Sequence, residues 1–306
     1  MDTLIISIKD WMEHYKRNSV KPTTYDRLET SYNTLSNYRI AHMPIDDIRT
    51  EDLQNFINEM VDDCYALGTI KKQYHLVTAY LKFANSEGKI ARTIHDNVKL
   101  PAQSVVKKKK RDVLVYSRPQ QIALKRVLRS GERIGYLAAL LMLETGMRVG
   151  ECLALKWEDI LWERRAVRIN KTLIRITNRH KMEVQEGAKS FSSNRTIPLN
   201  GEAITLLSEL LEQTRDQAGY IFAAEDGKPI SYEAIRYQIQ CACDKADVPY
   251  YGQHVFRHTF ATNCYNRGCD VKILSKLLGH SDVTITYNVY IHLFGDALEE
   301  MRSVVG

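Results

Sequence analysis

The sequence predicts a mainly α-helical protein of two domains, with a small antiparallel β-sheet inserted in the second domain. The chain has 306 residues, which is long for one ordinary domain and comfortable for two. Apolar residues recur at helical spacing along most of it, and only a stretch of the second half alternates with a period of two. Its 44% hydrophobic and 26% charged residues are typical of a globular protein with a buried core.

Four helices are predicted for the first domain, which we place at residues 1–104. The last helix runs from about Ile70 to Asn85, with Thr69 as its N-cap. Lys71 and Lys72 on this helix stand among polar and aromatic residues, which suits either a DNA-facing surface or a merely solvated one. The apolar positions that repeat in the four segments are Leu4, Ile5, Ile8, Trp11, Met12, Tyr15; Tyr25, Leu28, Tyr32, Leu35; Leu53, Phe56, Ile57, Met60; and Tyr74, Val77, Leu81, Ala84.

A basic segment at residues 105–111 is predicted to link the two domains. It follows Pro101 closely, and an unbroken basic run ends it. Such a run can be a solvated tether, or it can lie along a phosphate backbone, and the two descriptions are compatible. The second domain then covers residues 112–306. The run consists of Lys107, Lys108, Lys109, Lys110 and Arg111.

Bulk charge, cysteines and hydropathy narrow the class of protein. The 43 Lys and Arg residues against 37 Asp and Glu leave a net charge of +6, which is too mild to identify a partner. The six cysteines show no CxxC spacing, so we expect reduced structural thiols, with no metal site and no other cofactor. The apolar runs are too short for a membrane span and no signal peptide is evident, so we expect a cytoplasmic protein.

Local signals in the second domain predict helices interrupted by a sheet. Ser117 and Gln120 form a capping box that opens one helix, and Arg133 to Glu144 forms a second, largely buried helix. Residues 167–176 then alternate between apolar and polar, and Arg195 to Leu199 is another short extended segment. Helices resume from there towards the C-terminus.

The first motif of chemical interest is TGMRVGE, in the second domain. Gly146 ends the preceding helix and a new helix begins at Arg148, which places Arg148 and Glu151 three residues apart on one face. A carboxylate thus holds an arginine. Taken alone, this pair is best explained as an ordinary structural ion pair.

Two later motifs present further basic side chains. The motif HVFRHT places His254 and Arg257 on one helical face, and we interpret His258 as structural. The motif LLGH ends a helix at Gly279 in a left-handed cap, so that His280 projects from the turn. A lone histidine in such a turn would most often be structural.

The final motif, TITYNVYIH, offers two tyrosines, Tyr287 and Tyr290. Tyrosines at helical spacing usually pack in a core, but their position after two arginines and a histidine-bearing turn makes the ordered set specific. Together these motifs resemble the catalytic boxes of the tyrosine site-specific recombinases, the phage integrase family, which includes integrases of phages and conjugative transposons. The resemblance extends to the first domain, which is similar to the helical, SAM-like domain that binds the core DNA site in this family.

The resemblance implies a role for each motif in phosphoryl transfer. Arg148 and Arg257 would clamp the non-bridging oxygens of the scissile phosphate, and His254 and His280 would complete the cage of charges and hydrogen bonds. Glu151 would orient Arg148. Fixed bidentate guanidinium groups suit this chemistry because the transition state gains charge on the equatorial oxygens.

The resemblance also indicates the proton donor and the nucleophile. Lys189 occupies the place of the family's lysine, before the Arg-Thr-Ile-Pro-Leu segment, and would protonate the leaving 5′ oxygen; Lys171 and Lys181 are alternatives on the same predicted sheet. Tyr290 would attack the phosphate. Integrases of this family carry a Thr-x-Asn-x-Tyr-x-His-like pattern after the Gly-His motif, and its tyrosine corresponds to Tyr290 and not to Tyr287. The residues that fit that pattern are Thr286, Asn288, Tyr290 and His292.

The implied function is metal-free and ATP-independent DNA strand exchange through a 3′-phosphotyrosine, which integrates or excises a mobile element. The implied partners are double-stranded attachment sites, further copies of the chain in a homotetramer on synapsed DNA, and possible accessory proteins such as a directionality factor or a DNA-bending protein. The setting would be the nucleoid of a bacterium, with the gene carried by the bacterium or a phage. No membrane partner is expected.

Alternatives remain open for the function and for the last segment. A type IB-like topoisomerase uses similar residues to relax DNA, and a DNA-binding relative could have lost catalysis. The apolar stripe of Phe294, Leu298 and Met301 could pack on its own domain or on a neighbouring protomer.

Overall fold

The computed structural model describes residues 2–90, 94, 96–106, 113–176, 181–187, 194–214 and 219–290, and only the backbone of residues 288–290. The chain divides into two compact units, Met1–Arg111 with Ile176–Lys181, and Asp112–Arg175 with Met182–Gly306. The basic run at residues 107–111 lies outside the described residues. No helix in the described part of the chain is both long enough and apolar enough to cross a membrane.

The first unit is helical, in agreement with the apolar periodicity of its sequence. Because its apolar residues recur every three to four positions, each helix buries one stripe, and Leu4, Ile8 and Leu53 have no exposed surface. The last helix begins three residues earlier than predicted, with Ala66 instead of Thr69 at its N-cap. The helices are α1 (Leu4–Trp11), which a π-helical turn (Met12–Lys16) continues, α2 (Pro22–Leu35), α3 (Thr50–Asp62) and α4 (Leu67–Ser86), with 3-10 turns at Arg39–His42 and Ile45–Asp47.

The second unit is built around one apolar helix, α6 (Ile134–Thr145). This helix is buried on nearly all sides, and helices on several sides cover it. The predicted capping box opens the preceding helix, where Ser117 and Gln120 exchange hydrogen bonds of 2.8 and 3.5 Å. The remaining helices are α5 (Arg118–Leu128), α7 (Val149–Leu153), α8 (Gly201–Gln213), α9 (Tyr232–Lys245), α10 (His254–Asn266), α11 (Val271–Leu278) and α12 (Val283–Tyr290).

The predicted strands are present and are divided between two small sheets. Strands β1 (Ile160–Leu161), β2 (Ala166–Ile169) and β5 (Arg195–Pro198) form an antiparallel sheet in the order β1-β2-β5. Strands β3 (Lys171–Ile176) and β4 (Lys181–Glu186) form a separate two-stranded sheet. The predicted fold class, mainly helical with a small sheet in the second half, is therefore confirmed.

The register of β5 determines which of its side chains face the core. Ile197 lies opposite Val167, and both are buried at 1% and 0% exposure. Because side chains alternate along a strand, Arg195 falls on the same inward face as Ile197, two positions earlier. An arginine is thus carried by the sheet towards the helices.

Candidate active site

Three arginine side chains converge on the C-terminal end of α11. The last carbonyl groups of a helix have no partner inside the helix and carry partial negative charge, so cations and donors stabilise them. Here three successive carbonyls each accept a hydrogen bond from a different arginine. The bonds are Arg195 Nε to Leu277 O (2.6 Å), Arg257 Nη2 to Leu278 O (2.6 Å) and Arg148 Nη2 to Gly279 O (3.0 Å).

Gly279 ends α11 in the left-handed conformation that the sequence predicts, with φ of +66°. Glycine is needed here for a second reason, because a Cβ atom at this position would lie 2.9 Å from Nη1 of Arg195. The turn thus lies directly against a guanidinium group. His280 follows it, and its backbone N–H donates to the Ser275 carbonyl at 3.1 Å.

The Glu151 carboxylate binds two of these arginines at once. Arg195 donates to both carboxylate oxygens, from Nη1 at 3.0 Å and from Nη2 at 2.7 Å, and Arg148 Nη1 donates to Oε1 at 2.8 Å. Burial alone would raise the pKa of the Glu151 carboxyl, but the hydrogen bonds and charges of Arg195 and Arg148 outweigh it and lower the pKa to about 2. The carboxylate is therefore ionised at every physiological pH.

Arg148 has a different local conformation from the predicted one. It is the extended N-cap residue of α7, with φ of −72° and ψ of 150°, and the helix itself begins at Val149. The reason is visible in the Glu151 side chain, which reaches back and accepts the Arg148 backbone N–H at 2.8 Å. The predicted pairing of these two residues is present, although only Glu151 belongs to the helix.

Arg257 joins the other two motifs. Its side chain is buried at 6% exposure, and Nη1 donates to the Gly146 carbonyl at 2.9 Å while Nη2 bonds to the end of α11. Gly146 is the left-handed cap of α6, with φ of +65°. The motifs TGMRVGE, HVFRHT and LLGH therefore meet at one place.

The histidines beside these arginines are held neutral. Burial, followed by the charges of Arg257 and Arg148, lowers the pKa of His280 to about 4. Loss of solvation by neighbouring protein atoms, followed by the same two charges, lowers the pKa of His254 at the start of α10. His280 Nδ1 is hydrogen-bonded to the fully buried Thr286 hydroxyl at 2.7 Å. A neutral imidazole can donate a hydrogen bond to a phosphate oxygen from its protonated nitrogen without adding charge.

His258, which was predicted to be structural, lies close enough to His254 and Arg257 to be influenced by both. Its pKa is lowered to about 4 by burial and then by His254 and Arg257. It follows Arg257 in α10, so these two neighbours point to different sides of the helix. The spacing of four residues between His254 and His258 was a usable signal, because it places both histidines on one face of α10.

The structure describes two of the three candidate lysines, Lys171 and Lys181. Lys189 lies outside the described residues. Lys171 in β3 is 8% exposed, and its Nζ lies 2.9 Å from Asp159 Oδ2 and 3.3 Å from Glu158 Oε1. Although burial works against it, these carboxylates raise the pKa of Lys171. Lys171 is thus committed to a buried ion pair and poorly suited to give up a proton, while Lys181 is exposed on β4.

Both candidate tyrosines lie on α12. Tyr287 is 45% exposed, and Tyr290 is the last residue of the helix, with a side chain outside the described atoms. Position 290 comes one turn after Thr286, the residue that bonds His280, whereas position 287 is rotated by about 100° from Thr286.

Among the predicted DNA contacts, Lys71 and Lys72 are exposed on α4.

Among the described residues, Arg195 belongs to this site although its role was not predicted from the sequence. It is 6% exposed and paired with Glu151, which is 44 positions away in the chain. The strand pattern contained a usable signal, because an arginine two positions before the buried Ile197 must face inward. Among the described residues, no group of three or more His, Cys, Asp or Glu side chains is placed to hold a metal ion.

Comparison with known proteins agrees with this geometry. The profile of the phage integrase family matches residues 123–296, and the profile of the phage integrase N-terminal SAM-like domain matches residues 7–61. The chain is 29% identical over 304 residues to a XerC-like tyrosine recombinase of Caldanaerobacter subterraneus subsp. tengcongensis, with 92% of this chain and 77% of the relative covered.

Two solved structures share the fold. An integrase of the Tn1549 transposon, in complex with a circular intermediate DNA, superposes with a TM-score of 0.80 at 22% identity, covering 99% of this chain and 100% of that chain. A lambda integrase tetramer bound to a Holliday junction gives a TM-score of 0.65 at 18% identity, covering 94% of this chain and 77% of that chain. Since the family profile spans more than half of the sequence, the chain belongs to the phage integrase family of tyrosine recombinases.

Proposed function

We propose that this recombinase exchanges strands between two double-stranded DNA sites through a 3′-phosphotyrosine on Tyr290, and that it thereby integrates or excises a mobile element. The observation that carries the proposal is the convergence of Arg148 and Arg257 on the turn that bears His280. A scissile phosphate is the ligand that this arrangement suits best, because it offers two non-bridging oxygens to two guanidinium groups.

The charge of the cluster supports phosphate binding. Three arginines and one carboxylate leave two positive charges, and the neighbouring histidines are neutral at pH 7. Donors that are fixed before the reaction stabilise the charge that develops on equatorial oxygens in the transition state. Removal of either phosphate-binding arginine should raise the barrier by about 3 kcal/mol or more.

The proposed reaction balances without a cofactor. The Tyr290 oxygen passes its proton to solvent water and forms a bond to phosphorus. The bond from phosphorus to the 5′ oxygen breaks, and that oxygen takes a proton from Lys189. The freed 5′ hydroxyl of one duplex then attacks the phosphotyrosine of the other, with the reverse proton movements. His254 and His280 would donate hydrogen bonds to the phosphate, and Glu151 would hold Arg148. Two reversible displacements of this type conserve bond energy.

Support for Tyr290 over Tyr287 comes from helix geometry. Position 290 shares a side of α12 with Thr286, whose hydroxyl is bonded to His280, and position 287 does not. Support for Lys189 comes from the family motif and from the commitment of Lys171 to Asp159.

The partners are proposed by analogy with relatives that are seen on DNA. The Tn1549 integrase is bound to a circular intermediate DNA, and lambda integrase is a tetramer on a Holliday junction. We expect this chain to bind duplex attachment sites and to form a homotetramer on synapsed DNA in the bacterial cytoplasm, helped where needed by a directionality factor or a DNA-bending protein. Lys71, Lys72 and the basic run at residues 107–111 are the proposed contacts to the phosphate backbone.

The experiment that tests this function traps the covalent intermediate. Purified protein is incubated with sheared genomic DNA of the source organism, and the mixture is then denatured with detergent. The DNA that remains covalently attached to protein is sequenced to find the cleaved site. A nicked duplex with that site, from which the short cut strand diffuses away, is then used to compare Tyr290→Phe with Tyr287→Phe. We expect Tyr290→Phe alone to abolish the adduct.

The same material separates the alternative functions. Recombination between two sites, with no relaxation of a single supercoiled plasmid that lacks them, is expected of a recombinase and not of a type IB topoisomerase. Binding to DNA without any adduct would instead identify an inactive DNA-binding relative. An adduct that persists in Tyr290→Phe and is lost in Tyr287→Phe would move the nucleophile to Tyr287.

A further inference from the structure

We propose that Arg195 is a positioning residue for strand cleavage, which holds Arg148 and the His280 turn in one fixed arrangement. This inference rests on the proposed function for its catalytic consequence, and its structural part can be tested without DNA. Arg195 is not itself a phosphate ligand in this proposal. It acts through Glu151 on one side and through the end of α11 on the other.

The geometry of Arg195 requires an arginine. Its Nε donates to Leu277 O at 2.6 Å, and its two terminal nitrogens donate to the two oxygens of Glu151 at 3.0 and 2.7 Å. Only a planar guanidinium group offers donors in these three directions from a rigid fork. A lysine could keep the charge, but its single nitrogen cannot make the paired bonds to the carboxylate and reach the carbonyl as well.

The first link runs from Arg195 to Arg148. Both arginines donate to the same Glu151 oxygen, Oε1, at 3.0 and 2.8 Å. The carboxylate is 6% exposed, so loss of one arginine would leave it with half of its compensating charge in a buried site. Glu151 and Arg148 would then have to rearrange together, and the Arg148 fork would leave its place.

The second link runs from Arg195 to the His280 turn. Its bond to Leu277 fixes the last turn of α11, and its guanidinium group lies so close to Gly279 that no Cβ atom fits there without a shift. Arg195 is itself anchored in the sheet, where it pairs with Ile169 of β2. Through this residue the sheet therefore sets the position of His280 relative to Arg148.

Arg195 also begins β5 six positions after Lys189 in the sequence. The side chain that fixes two phosphate-binding groups thus anchors the end of the segment that carries the proposed proton donor. All three side-chain nitrogens of Arg195 donate hydrogen bonds within the protein, to Leu277 and to the two oxygens of Glu151. These bonds, and not its burial, are the observations on which its positioning role rests.

The catalytic test compares Arg195→Gln and Arg195→Lys with Arg168→Gln, a control in the neighbouring strand whose side chain is exposed. The substrate is the nicked duplex found by covalent trapping, made either with a normal scissile phosphate or with a methylphosphonate, which lacks one negative charge. Affinity for the duplex is measured in the Tyr290→Phe background, and folding is checked by circular dichroism.

We expect both Arg195 variants to form the covalent adduct at least ~100-fold more slowly on the phosphate, with affinity changed less than about threefold. On the methylphosphonate the deficit should shrink to about tenfold or less, because a reaction with less charge depends less on the placement of Arg148. The control should behave as the parent on both substrates. Equal deficits on the two substrates, or a rate restored by Arg195→Lys, would overturn the proposal.

A second readout distinguishes failure of this inference from failure of the proposed function. The charged and titratable groups around Glu151 that influence it or respond to it are Arg148, Arg195, Tyr232 and Cys152. Carbon-13 NMR of the Glu151 carboxyl, assigned with Glu151→Gln, should be flat from pH 4 to 8 in the parent and should titrate within that range in Arg195→Lys.

Each combination of results has one meaning. If the parent forms no adduct on any DNA, the proposed function fails, and the NMR titration alone decides whether Arg195 controls Glu151. If the carboxyl signal stays flat in Arg195→Lys, Arg195 does not hold Glu151 and the inference is wrong, whatever the cleavage rates. Slow cleavage by the Arg195 variants, combined with a Glu151 carboxyl signal that titrates between pH 4 and 8 in Arg195→Lys, supports both the inference and the proposed function.

Discussion

Arg257 donates a hydrogen bond of 2.9 Å from Nη1 to the carbonyl oxygen of Gly146, and this bond ties α10 to the end of α6. The same glycine has φ of +65°, and a Cβ atom there would collide with the Phe260 ring, which α10 carries three residues after Arg257. One backbone position thus determines both the approach of two helices and the direction of a guanidinium group.

Gly146→Ala is therefore expected to destabilise the protein and slow cleavage together. The left-handed backbone costs about 1 kcal/mol for alanine, and displacement of the Phe260 ring should bring the loss in the free energy of unfolding to about 3 kcal/mol. Gly268→Ala is the matched control, because Gly268 has φ of +82° with open space around its Cβ position. Chemical denaturation measures both, and equal losses in the two variants would contradict the steric argument.

Glu151→Gln should lower the free energy of unfolding and the cleavage rate far more than Glu158→Gln. The buried Glu151 carboxylate compensates two arginines, so its neutralisation should cost about 3 kcal/mol of unfolding free energy and reduce the rate of adduct formation. Glu158 is 66% exposed and lies 3.3 Å from Lys171, so Glu158→Gln should change stability by less than about 0.5 kcal/mol. A Glu151→Gln protein with unaltered melting and unaltered cleavage would show that this ion-pair cluster is dispensable.

Acidification should destabilise the second unit well above the pH at which carboxylates titrate. The pKa values of His258 and His280 are about 4 in the folded protein, against an ordinary value of 6.5, so the unfolded chain binds more protons between these limits. The contribution of these two histidines to the free energy of unfolding is thus expected to be complete above pH 6.5 and to be lost as the pH drops towards 4.

His258→Gln provides the comparison for this pH dependence. The variant should lose part of the slope between pH 6.5 and 4 while both proteins reach a plateau above pH 6.5, as measured by denaturant midpoints across that range. A slope that is identical with and without His258 would show that this histidine binds protons equally in the folded and unfolded chain.

Lys189 and Lys171, two of the three candidate lysines, should respond differently to a better leaving group. Lys189→Ala is expected to slow cleavage by ~100-fold or more, and a 5′-bridging sulfur at the scissile position should largely restore the rate, because a thiolate leaves without a proton. Lys171→Met should instead lower stability by about 3 kcal/mol, since it leaves Asp159 buried at 1% exposure without its cation. Sulfur rescue of Lys171→Met and none of Lys189→Ala would exchange the two roles.

The sequence predicted those parts of the site that depend on local spacing. The pairing of Arg148 with Glu151 follows from a separation of three residues, and the left-handed turn before His280 follows from Gly279. The N-cap conformation of Arg148 was not predicted, because it arises from a carboxylate that reaches back to the backbone and not from helix propensity.

Contacts between distant segments could not be obtained in this way. The pairing of Arg195 with Glu151 depends on how β5 is placed against α7, which no periodicity encodes. The division of the strands into two sheets is similar, because alternation identifies strands without specifying their partners. The roles of Lys189 and Tyr290 came from resemblance to a family, and they stay predictions.

The three carbonyl bonds at the end of α11 connect residues that are 21, 82 and 131 positions apart in the chain. Contacts of such long range form only when most of a domain has already folded, and they are lost when any of its segments opens. A partly synthesised or partly unfolded chain therefore has no assembled arginine cluster. The integrity of the arginine cluster is thus a property of the whole second unit and not of any single segment.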